Sequence, residues 1–402
     1  MTTARPPRGT LWAFAGICSI TFFALIAVGV VLPVLPLYIT GPLDGGNFAV
    51  GFVVGAFAFT GLAGRPIAGN IADRRGRRIV AIIGSGFAVV AGILYFVPGG
   101  IPVLVLSRLC LGAGEGMVFT AGAAWVVDLA PPDRRGRVIG LYGLSVWTAL
   151  SVGPPLGDLL YRVADFEAVW AFATVVPMIA ALIATRVPEA FKPVAGSERR
   201  PLIAREALGP GCALALKTWG YAALAAFIVL MLDERGIGHG AAAFTAFAAM
   251  VVITRLVAGD LPDRLGPLRC AFGAALIEAL GLVMMASAQT LALAIAGAMV
   301  MGAAFSTLYP ALSLHVVNQV PENRRGVALG TFTAFFDVGM AIGSPVVGAA
   351  AAIGGYSAAF LVAAGAAVCA SMVVLVLRRG EAGAPLGAPA PSPAGSLPPP
   401  PG

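Results

Sequence analysis

Charge is what this chain has least of. Only 11% of its 402 residues are Asp, Glu, Lys or Arg and 59% are hydrophobic, whereas an ordinary soluble domain carries about 25% charged residues. That balance excludes a soluble globular fold. The apolar character runs from Leu11 to Leu377, which also excludes a soluble domain carried on a single anchor. Histidine is reduced to His239 and His315, and lysine to Lys192 and Lys217. There is no His/Glu zinc motif, no phosphate-cradling glycine loop and no stretch long enough for a catalytic domain, so the chain is not expected to be an enzyme. The five cysteines (Cys18, Cys110, Cys212, Cys270 and Cys369) lie in or beside apolar runs without metal-ligand spacing. Neither a disulfide scaffold nor any cofactor is expected.

What is present is a succession of apolar runs of hydrocarbon length. At about 20 residues per membrane-crossing helix, twelve spans fit, at 10–39, 49–71, 79–97, 101–130, 137–161, 167–187, 207–232, 241–261, 268–288, 291–318, 326–350 and 357–377. The first run is read as a span rather than a cleaved leader, because the chain stays apolar after it. The formal net charge of +7 is sorted across the bilayer rather than gathered for a nucleic acid, and no nucleic-acid partner is expected. Twenty Lys/Arg fall in the amino terminus, the even-to-odd connections and the tail, against Arg162 and Arg235 in the opposite loops. By the positive-inside rule both termini are cytoplasmic, in a multi-pass protein of the cell (plasma or inner) membrane.

The chain also repeats itself. Arg65-Pro-Ile-Ala-Gly69-Asn-Ile-Ala-Asp73-Arg74-Arg-Gly76 recurs 190 positions later as Arg255-Leu-Val-Ala-Gly259-Asp-Leu-Pro-Asp263-Arg264-Leu-Gly266. Arg134-Arg135-Gly136 recurs as Arg324-Arg325-Gly326 at the same offset, and Gly140 as Gly330. The expected fold is therefore all-α, with two pseudo-symmetric six-helix bundles at 1–187 and 207–378. A charged cytoplasmic linker at 188–206 joins them, and a disordered Pro-rich cytoplasmic tail with eight prolines follows at 379–402. Parallel repeats with a site at their midplane interface are a recurrent transporter design.

Gly69-Asn-Ile-Ala-Asp73-Arg74-Arg-Gly76-Arg77-Arg78 between spans 2 and 3 resembles the hallmark loop of the major facilitator superfamily. The resemblance covers residues 10–377. It implies a twelve-helix transporter, monomeric, with Asp73, Arg77 and Asp128 as a cytoplasmic charge relay that stabilises the outward-open state and breaks as the halves rock. Pro267 and Asn318 stand where a second relay would need Arg77 and Asp128, which implies a weaker latch there. Arg108-Leu-Cys-Leu-Gly112 in span 4 resembles an Arg motif associated with proton transfer. Gly140, Gly153-Pro154 and Gly157 in span 5 resemble the antiporter motif of drug and metabolite exporters, with Ala149 and Asp158 departing from it. Independently of the resemblance, small residues at four-residue spacing let span 5 approach a neighbouring backbone, and Pro154 frees backbone groups for bending.

Ionisable groups inside a bilayer cost at least ~2.5–3.5 kcal/mol each on insertion scales and mark function by default. Glu115 lies mid-span 4, two turns from Arg108 on a stripe with Gly112 and Phe119. It is either a proton carrier or a structural partner of Arg108 or Lys217. Lys217, one turn from Tyr221, is a candidate for binding an anionic substrate, for neutralising Glu115 or Asp337, or for snorkelling to the interface. Asp337 shares a small polar face with Gly330, Thr333, Ala341 and Ser344, suited to coupling, substrate contact or interhelical hydrogen bonding. Asp158 is a coupling candidate near the outer rim, and Glu278 in span 9 has no evident role. Gly302, Ser306, Tyr309 and Ser313 make a cavity-facing stripe on span 10, with His315 off that face. Arg65 and Arg255 are read as interface anchors. Span 1 carries no acid, unlike many multidrug members of the resembled family. The expected function is proton-coupled efflux of a small molecule by alternating access, with a symporter or facilitator importing a sugar or metabolite as the alternative and a membrane enzyme or sensor as the distant third.

Overall fold

The computed structural model describes residues 8–129, 135–189, 203–321 and 324–383. Among them every regular element is helical, as hydrocarbon demands: a backbone N–H or C=O left unpaired there costs several kcal/mol, and a helix pairs its own. The first span is α1 (Arg8–Val31) and, past a break near Pro33, α2 (Leu35–Thr40). Then come α3 (Asn47–Arg75), α4 (Arg77–Leu94), α5 (Gly100–Leu129) and α6 (Arg135–Arg186). After residues 190–202, a 3-10 turn at Arg205–Ala207 leads into α7 (Leu208–Glu234), α8 (Gly240–Val257), the short α9 (Leu261–Leu265), α10 (Pro267–Ala286), α11 (Leu291–Asn318) and α12 (Arg325–Gly383).

Ten stretches among the described residues are long and apolar enough to cross a membrane, where the sequence predicts twelve. The difference lies in α6 and α12. At ~1.5 Å per residue straight helices of 52 and 59 residues would be roughly 78 and 88 Å long, against a hydrocarbon core of about 30 Å. Neither is straight. α6 breaks at Ala164 (φ −148°, ψ 26°) and Asp165 (φ 63°, ψ −171°), and α12 breaks at Gly355 (φ 74°). The Asp165 carboxylate accepts the N–H of Phe166 at 2.7 Å, capping the next segment. Both breaks reverse the chain. Thr21 donates to the Tyr142 hydroxyl (3.1 Å), while Gly29 and Val30 abut Gly153 and Gly157, yet Val187 returns to Gly16. Likewise Phe335, Gly339 and Gly343 ascend beside Gly211, Ala215 and Trp219, and Leu377 comes back to Gly209.

The duplication is visible in three dimensions. Gly76 (φ 102°) and Gly266 (φ 88°) make the same positive-φ turn 190 positions apart. Gly112 presses on the Phe57 carbonyl as Gly302 does on that of Phe247. The halves meet through α3 against α12 and, at the equivalent place, α6 against α8. One hydrophobic core is shared by both halves, drawing in Val30, Val54, Trp170, Phe227, Phe244 and Met340. Two others are separate. Ile17, Val80, Trp125 and Val187 pack within the first half, and Leu214, Leu268, Leu312 and Val374 within the second. The separate cores occupy the end at which α1 and α7 begin, so the halves are fused at one end and divided at the other.

Residues 134 and 190–202 and the tail beyond residue 383 lie outside the described residues, as does the side chain of Arg135. The motif copy at Arg134-Arg135-Gly136, most of the linker and the Pro-rich tail are therefore sequence features only.

Candidate functional site

Where the halves divide, one ion pair spans them. Arg65 on α3 sends Nε to Asp337 Oδ2 (2.7 Å) and Nη2 to Oδ1 (3.2 Å), a two-pronged fork onto α12. Asp337 is 1% exposed. The Arg65 guanidinium also lies 5.3 Å from the centroid of the Phe119 ring, which places Phe119 against the site as its stripe predicts. Lys217 was one candidate counter-ion for Asp337; the structure gives that role to Arg65, which sequence reasoning treats as an anchor.

Glu115 lies within electrostatic reach of Arg65, Asp337 and Arg108, yet makes no ion pair among the described residues. Its proposed pairing with Arg108 is not formed. Arg108 is fully buried, donates Nη2 to the Val54 carbonyl (3.1 Å) and stands 5.1 Å from the Phe57 ring centroid. Its Nε and Nη1 have no partner among the described residues. The pairing of Glu115 with Lys217 is absent too. Lys217 is 1% exposed, with Nζ 2.9 Å from the Phe305 ring centroid and donating to the Phe305 carbonyl at 3.3 Å. At that depth it does not snorkel. Glu278 is fully buried beside Gly220 of α7, its two carboxylate oxygens unpartnered. Lys217 and Glu278 feel each other electrostatically without forming an ion pair.

Around these charges stands an aromatic wall. Tyr221, 7% exposed, meets Phe244, Phe247, Phe305 and Phe336 at centroid distances of 5.8–6.4 Å. Trp147 of the first half inserts into this wall edge-on, 5.2 Å from Phe305 and 6.5 Å from Phe247. On α11 the predicted polar stripe divides. Ser306 turns to α8 and donates to the Val251 carbonyl (2.8 Å), and Ser313 donates to its own helix at Pro310 (2.9 Å). Tyr309 remains at the centre: its hydroxyl is 3.0 Å from that of Thr333, and it lies within electrostatic reach of both Arg65 and Arg255. His315 is buried beside Gln319 (2.9 Å).

The other candidates lie elsewhere. Asp158 pairs with Arg162 one turn on (2.8 Å), near a cavity of about 410 Å³ lined by Arg162, Asp233 and His239 at the fused end, remote from Glu115. At the divided end Arg77 bridges Asp73 (2.7 Å) and Asp128 (3.2 Å), while the backbone N–H groups of Arg77 and Arg78 donate to Glu189. Arg74 is exposed, and Gly76 ends α3. All three relay members belong to one half and stay paired although the halves are apart here, so their contact is internal to that half. In the second copy Arg264 turns instead to Asp260 (2.5 Å), both side chains largely exposed. Gly153 and Gly157 do bring α6 onto α1: a Cβ at Gly153 would lie 2.6 Å from the Gly29 Cα, and Pro154 is buried next to it.

The sequence profile of the Major Facilitator Superfamily matches residues 17–269 and 211–399. This chain belongs to that superfamily. It is 31% identical over 373 residues to the uncharacterized MFS-type transporter STM4428 of Salmonella typhimurium, covering 90% of this chain and 96% of that one. In fold it is similar to the human organic anion transporter MFSD10 (TETRAN), with TM-score 0.70 and 17% identity over 92% of this chain and 100% of the other. It is also similar to a D-xylose-proton symporter, with TM-score 0.74 and 15% identity over 91% and 96%. The superfamily member described here is a transporter of small molecules and not an enzyme, and a multi-pass protein of the membrane.

Proposed function

We propose that this transporter couples movement of a small organic molecule to protons through Arg65, Asp337 and Glu115, by alternating access. The two reversing helices each cross twice, giving twelve crossings in two six-helix bundles, 1–187 and 207–378, joined by a cytoplasmic linker. The excess of basic residues at the divided end supports its placement in the cytoplasm. On that reading the conformation is inward-facing.

One observation carries the mechanism: a cation of the first half is held by a carboxylate of the second while a spare carboxylate waits on its own half. Protonating Asp337 frees Arg65, which turns to Glu115, and the fork between the halves is gone. Deprotonation reverses the exchange. Arg65 neutralises one acid at a time and the other holds the proton, so each exchange passes one proton between Glu115 and Asp337, and coupling follows when that proton is loaded from one side of the membrane and released to the other. Inward proton movement supplies about 1.4 kcal/mol per pH unit and ~2.3 kcal/mol per 100 mV.

Symport of a metabolite is the preferred direction, since the same fold serves a D-xylose-proton symporter and span 1 lacks an acid. Efflux by antiport is the second reading, supported by the close packing of Gly153 and Gly157 on α1. The test uses proteoliposomes with a pH-sensitive dye and a panel of cationic, neutral and anionic solutes. Solute-dependent proton flux in wild type that disappears in Glu115→Gln is the expected result, and its direction relative to the solute separates symport from antiport. Solute equilibrating equally fast with and without a proton gradient would sink the coupling.

A further inference from the structure

The two halves share a backbone design but not a charge design. Adding the repeat offset of 190 to Arg65, Glu115 and Phe119 gives Arg255, Phe305 and Tyr309, and the counterpart of Asp337 is Trp147. The contacts between Gly112 and Phe57 and between Gly302 and Phe247 show that this offset holds in space. The cation and the aromatic ring beside it are thus kept, whereas both carboxylates are replaced by aromatic residues. Those two replacements, Trp147 and Phe305, touch each other at 5.2 Å.

Arg255 is left without an anion. It makes no ion pair among the described residues. Its Nη2 donates to the Ser306 carbonyl at 3.2 Å, while its Nε is buried with no partner among the described residues, as is the hydroxyl of neighbouring Thr254. Arg255, Thr254, Ser306 and Thr307 line one recess of about 10 Å³. That is room for one water-sized group, hence for a single oxygen of an anionic head and not for a whole solute. Tyr309 lies within electrostatic reach of both Arg255 and Arg65. A guanidinium with free N–H groups and an adjacent free hydroxyl is a donor set suited to a carboxylate or phosphate oxygen.

We propose that Arg255 is the docking point for the anionic group, carboxylate or phosphate, of the transported molecule. The substrate's own anion takes the place that Asp337 fills in the first copy. This rests on the transporter reading, but not on proton coupling.

The experiment measures binding without any gradient, using the purified full chain in neutral phosphatidylcholine nanodiscs. The probes are benzoate, nicotinate and inorganic phosphate, with benzamide and nicotinamide as neutral counterparts, and the readout is the shift in thermal unfolding. Wild type is stabilised by at least one anion and not by its amide. Arg255→Gln weakens that binding about tenfold or more, the equivalent of ~1.4 kcal/mol, and Arg255→Lys restores part of it. Trp147→Asp reinstates the missing carboxylate, ties up Arg255 and abolishes anion binding in a folded protein, which keeps the test decisive if Arg255→Gln fails to fold. Absence of stabilisation by every anion, or stabilisation that persists in Arg255→Gln and Trp147→Asp, overturns the proposal. So does an Arg255-dependent shift given only by added phosphatidylglycerol, which would make the anion a lipid headgroup. Anion binding without gradient-driven transport would leave the proposal standing and remove the coupling.

Discussion

The fork between Arg65 and Asp337 is nearly dry, with the carboxylate 1% exposed and the guanidinium side chain 20% exposed. Removing one member of such a pair strands the other, at a cost of about 3–5 kcal/mol. Arg65→Ala, which leaves the Asp337 carboxylate buried without its cation, is expected to lose that much, Asp337→Ala to lose less because Arg65 turns to Glu115, and Arg65→Ala/Asp337→Ala to regain a large part of it. A double-mutant cycle on thermal unfolding checks this, and additive losses would mean the two side chains do not interact. Glu115→Gln removes no ion pair among the described residues, so stability should move much less than in Arg65→Ala while proton flux is lost. Burial cost is a local property, and the sequence accordingly points to Glu115, Arg108, Lys217 and Asp337 as the groups needing an explanation. Partnership is not local. Arg65 and Asp337 are 272 positions apart, and only the packing of α3 on α12 brings them together.

The packing of α6 on α1 and the surface of α3 near its end make opposite demands on glycine. A Cβ at Gly153 would meet the Gly29 Cα at 2.6 Å, backbone that cannot swing aside. Gly153→Leu is therefore expected to destabilise the fold by at least ~1–3 kcal/mol, as overpacking does, read as a lower unfolding temperature. At Gly69 a Cβ meets nothing within 4 Å. Gly69→Leu should unfold at the wild-type temperature yet transport slowly, because that surface closes against the other half only in the alternate state. Unimpaired transport in Gly69→Leu would show that the surface stays open throughout the cycle. The four-residue spacing of small residues made Gly153 legible as a packing position, whereas Gly69 was legible only as part of the repeated loop. The chain reversals at Asp165 and Gly355 were legible only as gaps between spans, since one or two residues of unusual φ leave no loop-like composition for a sequence to show.

A shared core at one end and separate cores at the other divide the described residues into two halves in contact through apolar packing. The fused end is also where backbones come closest. Asn47 Nδ2 donates to the Ala351 carbonyl at 3.2 Å, and a Cβ on Gly51 would lie 2.7 Å from the Gly348 Cα. The duplication foretold two bodies, but a repeat is symmetric and cannot say at which end they touch. That follows from long-range packing, with Met340 joining Val54 while Phe332, two turns earlier on α12, packs only within its own half. If rocking about this interface is the transport step, a covalent bond across it must stop the cycle. Asn47→Cys/Ala351→Cys, in a background free of the five native cysteines, is expected to transport when reduced and to stop when oxidised. Reagent access to residues lining the divided end should meanwhile persist. Transport continuing in the oxidised protein would place the moving interface elsewhere, and the Arg65–Asp337 fork would then be a structural clamp.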